Sequence, residues 1–134
     1  PTPASAGSFN PHCPHGLAGA AELVVWGSGS PRLEFLRVDD LADAVVHLAK
    51  VYSDDEHLNV GSGSEVTIKE LAEQVCETVD FQGHLRFDVS KPDGTLRKVS
   101  DVSNLHGLGW NQARPLRAGL DQTYRTALIE TLAK

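Results

Sequence analysis

Glu22-Leu23-Val24-Val25-Trp26-Gly27-Ser28-Gly29-Ser30-Pro31 couples a short apolar run to a stop made of Gly, Ser and Pro. A run of this length with such an end reads as a buried strand followed by a turn. Upstream, residues 1–21 hold no Asp, Glu, Lys or Arg but include Pro1, Pro3, Pro11, Pro14, Gly7, Gly16 and Gly19. That is the composition of a loop, a tail or a broken element. A poorly structured N-terminal segment is therefore expected over 1–21, and a folded domain over 22–134. Downstream, Asp39 and Asp40 are placed to cap a helix whose Leu41, Val45, Leu48 and Tyr52 recur on one face, predicted to look into the core. His57 to Val60 read as a short strand. Thr67 and Glu70 have the S/T-x-x-E spacing of a capping box, and Ile68, Leu71, Val75 and Val79 continue a helical face. Leu85, Phe87 and Val89 alternate with His84, Arg86 and Asp88, the period of a half-buried strand. After a polar loop, Ser90 to Lys98, Pro115 suits the first turn of a last helix along which Leu116, Leu120, Tyr124, Leu128 and Leu132 fall four apart. Three helices alternating with short strands predict a small α/β layer, with too few strands for a complete doubly wound sheet.

The 134 residues leave room for one domain, and 40% hydrophobic with 22% charged residues is the balance of a folded soluble protein. A formal charge of -6 and a pI near 5.4 argue against nucleic acid or an anionic membrane as partners. No stretch approaches the apolar length of a membrane span and no signal-peptide pattern opens the chain, so the expected setting is the cytoplasm. Cys13 and Cys76 are read as thiols.

Gly27-Ser28-Gly29 and Gly61-Ser62-Gly63 each suggest a dinucleotide loop, but the third glycine of G-x-G-x-x-G would fall at Arg32 or Val66. No cofactor-binding residue is expected in this chain. His12, Cys13 and His15 cluster, but no second pair with zinc spacing follows, so no metal site is expected. G-x-S-x-G, H-E-x-x-H and a Tyr-x-x-x-Lys pair are absent, since Tyr52 precedes Glu56 and Tyr124 precedes Leu128 at the lysine spacing. Ser90-Lys91-Pro92-Asp93-Gly94-Thr95-Leu96-Arg97-Lys98 holds three cations around a rigid turn, a composition able to present charge to a phosphate or simply to water.

Three segments in order resemble the GDP-L-fucose synthase family: Val24 to Pro31 running into Glu34-Phe35-Leu36-Arg37-Val38-Asp39-Asp40-Leu41-Ala42; Leu58-Asn59-Val60-Gly61-Ser62-Gly63; and Phe87 to Lys98. Asp101-Val102-Ser103-Asn104-Leu105 and Leu108-Gly109-Trp110 extend the likeness. That family belongs to the extended short-chain dehydrogenase/reductases, the NAD-dependent epimerase/dehydratases. The resemblance implies its C-terminal part: the small α/β substrate-binding lobe of an extended Rossmann-type enzyme, without the Rossmann half. It implies a GDP-sugar as partner (GDP-4-keto-6-deoxy-mannose or GDP-fucose), NADP(H) as cofactor of the intact enzyme only, and allows a homodimer. By match, Trp26 and Lys98 contact the nucleotide sugar, with Asp93 a further candidate in the same loop, and His15 is the candidate acid for epimerisation. Arg97 beside Lys98 can offer a second charge to the diphosphate. The family's phosphate-binding arginine after the turn corresponds here to Leu33, and Arg32 beside it faces the other way if the segment is extended. Such a fragment is expected to be inactive by itself; the alternative is a non-catalytic nucleotide-sugar-binding or protein-interaction module.

Overall fold

The computed structural model describes residues 20–111 and 114–132. Its elements run β1 (Glu22–Trp26), β2 (Arg32–Glu34), α1 (Val38–Val51), β3 (Glu65–Thr67), α2 (Ile68–Thr78), β4 (His84–Asp88), β5 (Arg97–Lys98), α3 (Ser103–Gly107) and α4 (Leu116–Leu132). β1 and β4 form a parallel pair in which Val25 lies opposite Phe87 and Trp26 opposite Asp88. A second sheet has the order β3-β2-β5, antiparallel between β2 and β3 and parallel between β2 and β5. The fold is α/β. Among the described residues, no helix is long and apolar enough to cross a membrane.

The α2 start forms as its sequence predicts. The Thr67 hydroxyl accepts the Glu70 N–H at 3.0 Å, and the Glu70 carboxylate accepts the Thr67 N–H at 2.7 Å. The next two amides of this end are also used, Ile68 N–H on the Pro31 carbonyl and Lys69 N–H on the Gly29 carbonyl, both at 2.9 Å. The capped helix thus holds the turn that follows β1. Thr67→Ala should lower stability by about 1 kcal/mol. A urea midpoint that falls with an unchanged slope is the expected result, and an unmoved midpoint would show that the Pro31 and Gly29 contacts hold the helix end alone.

Several expectations need correction. α1 begins at Val38 behind Arg37, so Asp39 and Asp40 lie in its first turn rather than at the cap. There they still favour the helix, since negative charge suits the positive N-terminal end of the dipole. The inward face is rotated from the expected one: Leu48 of the stripe does pack on the core, but Ala44 is fully buried and Asp40 buried, whereas Leu41 and Val45 are 42% and 55% exposed. α1 is apolar on two sides, and periodicity alone cannot choose which of them meets the core. Residues 57–60 form no strand. Leu58 and Val60 instead pack, with Leu36 and Leu48, against a cluster of Ala44, Val102, Leu105 and Trp110. Much of that cluster comes from α3 and its flanks, a single-turn element too short for any periodic signal. The polar loop after β4 ends in β5, and β4 stops at Asp88, leaving Val89 exposed.

Candidate functional site

β2 brings the site together by alternation. Successive side chains of a strand point to opposite faces. Arg32 lies opposite Arg97 on β5, and Leu33 opposite Lys98. On one face, Arg32 and Arg97 each donate through Nε to Glu65 at 2.8 Å, a fork that holds the Glu65 carboxyl below its usual range. On the other face, Leu33 and Lys98 look into a cavity of about 390 Å³ whose wall also includes Trp26, Leu71, Asp93 and Thr95. The structure therefore gathers Trp26, Asp93 and Lys98 at one cavity. It turns Arg97 away to Glu65, so Arg97, a candidate substrate-binding residue from the sequence, does not line the cavity. His15, like the rest of Pro11 to His15, lies outside the described residues.

Trp26 ends β1 and is half exposed at the cavity, so it is not a core tryptophan. Asp93 is used structurally, since its carboxylate accepts the Ser28 N–H and the Ser28 hydroxyl, each at 2.7 Å. This clasp ties the loop after β4 to the turn after β1. Gly27 sits at φ +91, and a Cβ there would run into the same carboxylate. The Gly27-Ser28-Gly29 turn thus already holds an anion, one of the protein's own.

The second glycine turn does the same. Glu34, at the end of β2, accepts the Gly63 N–H at 2.6 Å and the Ser100 N–H at 2.9 Å, with the Ser62 hydroxyl at 3.2 Å. Burial alone would push Glu34 up, but these N–H and hydroxyl donors hold its carboxyl below the ordinary glutamate value. A Cβ on Gly61 would collide with that carboxylate. The residues of these two turns do not fit a dinucleotide pyrophosphate: their Ser28 and Gly63 amides are engaged by Asp93 and Glu34. Among the described residues no group of three or more His, Cys, Asp and Glu is arranged to hold a metal ion.

Reading by residue type missed two features. Glu34 stands in the segment that resembles the family but has no role assigned there, and only the tertiary contact shows that it organises the Gly61 turn. Lys91, one cation of the loop, has its Nζ 5.5 Å from the centroid of the Trp26 ring. No spacing in the sequence signals that contact.

Residues 7–61 match the NAD dependent epimerase/dehydratase family. The probable GDP-L-fucose synthase 1 of Oryza sativa subsp. japonica is 63% identical over 106 residues, covering 79% of this chain and 32% of that protein. A GDP-L-fucose synthetase from Naegleria fowleri bound to NADP superposes with a TM-score of 0.81 at 25% identity, covering 92% of this chain and 39% of that one. A GDP-mannoheptose C4 reductase from Campylobacter jejuni with NADP bound gives 0.69 at 34% identity, covering 78% and 34%. The chain spans about a third of the length of the relatives it matches. With this fold shared and this identity to a GDP-L-fucose synthase, the chain belongs to the NAD-dependent epimerase/dehydratases, within the extended short-chain dehydrogenase/reductases.

Proposed function

We propose that the chain is the GDP-sugar-binding lobe of a GDP-L-fucose synthase-like, NADP-dependent epimerase/reductase, and that by itself it binds without turning over. The observation that carries this reading is the single cavity that joins the half-exposed Trp26 to Leu33 and Lys98 on one sheet face. Trp26 offers an apolar ring to a base or sugar, and Lys98 offers an ammonium to a diphosphate. The related enzymes are named for GDP-sugars, the same combination of ring and diphosphate. Asp93 serves the site by fixing the loop through Ser28, so that Lys98 and Trp26 keep their separation. A cytoplasmic setting goes with this reading, and a homodimer is the assembly it allows.

No hydride step is assigned to these residues. Their two glycine turns are filled by Asp93 and Glu34, and the sequence holds no Tyr-x-x-x-Lys pair. Cofactor chemistry would belong to residues outside this chain. Calorimetry with GDP should give a dissociation constant in the high micromolar to millimolar range, roughly 4 to 6 kcal/mol of binding free energy. Lys98→Ala should weaken binding several-fold, about 1 kcal/mol, with the effect shrinking at high salt. NADPH absorbance should stay constant when the chain is mixed with GDP-4-keto-6-deoxy-mannose. Unchanged GDP affinity in both Lys98→Ala and Trp26→Ala would remove the cavity from consideration. NADPH consumption by the chain alone would overturn its inactivity.

A further inference from the structure

A diphosphate brings at least two negative charges to this cavity, and among the described residues the cavity wall supplies one cation, Lys98. The nearby guanidinium groups are engaged elsewhere, Arg32 and Arg97 both on Glu65. Lys91 is a further cation beside the wall, poised over the Trp26 ring. Its place is built rather than incidental. The Lys91 N–H donates to the Asp88 carbonyl at 3.1 Å. The Asp88 carboxylate accepts the Ser90 N–H at 3.1 Å and the Ser90 hydroxyl at 2.6 Å. Five residues on, Asp93 is clasped to Ser28. The segment from Asp88 to Asp93 is thus tied at both ends, and Asp88 itself is the register partner of Trp26 across β1 and β4. Of the carboxylates in this segment, Asp93 is hydrogen-bonded to Ser28 and Asp88 to Ser90. The Lys91 charge also attracts Asp88, but Lys91 forms no ion pair with it among the described residues, and its Nζ lies over the indole.

We infer that Lys91 is a second phosphate-binding cation of this site, held over Trp26 in the structure and transferred to the ligand's diphosphate when a base or sugar takes the ring face. A cation over a half-exposed indole is held weakly, whereas a charge-assisted hydrogen bond to phosphate is stronger, so the exchange is favourable. The two lysines would then grip the diphosphate from the loop tip and from β5, with Leu33 contributing only apolar surface between them. This inference rests on the GDP-sugar reading of the cavity.

The test is titration of the whole chain with GDP and with guanosine, followed by calorimetry and by tryptophan fluorescence, at low and high salt. Lys91 is exposed, so its variants should fold like the parent. Lys91→Met should weaken GDP binding by about three- to tenfold and flatten its salt dependence, while leaving guanosine binding unchanged. Lys91→Arg should restore GDP affinity to within about twofold, because it returns the charge. If Lys98→Ala weakens GDP binding but Lys91→Met does not, at either salt, the second-cation role is wrong and the cavity reading stands. If Lys91→Met weakens GDP and guanosine equally, Lys91 acts through the shape of the Trp26 ring rather than through phosphate, and the proposal fails. Absence of GDP binding by the parent chain overturns both.

Discussion

Trp110→Ala is expected to cost about 3 to 5 kcal/mol of stability, while Trp26→Ala costs less than about 1. The two tryptophans differ in surroundings rather than in chemistry. Trp110 is 6% exposed and packs in the cluster with Ala44, Val102 and the fully buried Leu105, so its removal leaves a cavity among rigid neighbours. Its indole Nε1 donates to Asp43 at 2.8 Å, a link between the segment after α3 and α1 that alanine also deletes. Asp43 is exposed and regains water, so the loss comes chiefly from packing. Trp26 is 50% exposed, and its loss removes little buried surface. Against a total stability of about 5 to 15 kcal/mol, Trp110→Ala should leave the domain marginal. Urea unfolding of both variants measures this. Equal shifts would mean that Trp26 is a core residue and that the cavity beside it is closed.

Leu33→Arg is expected to tighten GDP binding tenfold or more, about 1.5 to 3 kcal/mol. Leu33 faces the cavity from β2 with Lys98 as its neighbour on β5, so a guanidinium there would reach the region where Lys98 points. The strand needs no rearrangement, because its backbone pairing with Val66 and Lys98 does not depend on the side chain. The gain should fall as salt rises, since it acts through charge on a partly exposed phosphate. Placing a cation beside Lys98 with no anion present should also lower stability slightly, and GDP should reverse that loss by binding the folded state. Calorimetry at two salt concentrations checks the first effect, and melting with and without GDP the second. An affinity equal to that of the parent would place the phosphate out of reach of β2, and together with an unchanged Lys98→Ala affinity it would remove this face as the phosphate site.

Much of the candidate site was legible because strand alternation is local. Once Arg32 to Glu34 is extended, Arg32 and Leu33 must face opposite ways, and the same holds for Arg97 and Lys98. Which member of the second pair faces the cavity was not legible, because that depends on the register between β2 and β5. Composition left the loop's cations open to a phosphate or to water, and both Lys98 and Arg97 were named as candidate ligands; the register separated them, giving Arg97 to Glu65 and Lys98 to the cavity. Asp93 was named from the loop that holds it, but its partner Ser28 is 65 residues away.

By itself the sequence determined the elements whose signals lie within one helical turn or one strand. These are β1 with its glycine stop, the Thr67-Glu70 start of α2, the alternating β4 and the helix after Pro115. Capping, periodicity and turn chemistry act over a few residues, so neighbours in sequence suffice to read them. Tertiary structure decided the rest. It chose Ala44 over Leu41 and Val45 as the inward side of α1, assembled the core around a five-residue α3, and filled both glycine turns with the protein's own carboxylates. It also set Lys91 over Trp26. Each of these depends on groups far apart in the chain competing for the same space or the same donor. Such competition is resolved only when the whole domain packs, because desolvation and close packing depend on all the neighbours at once.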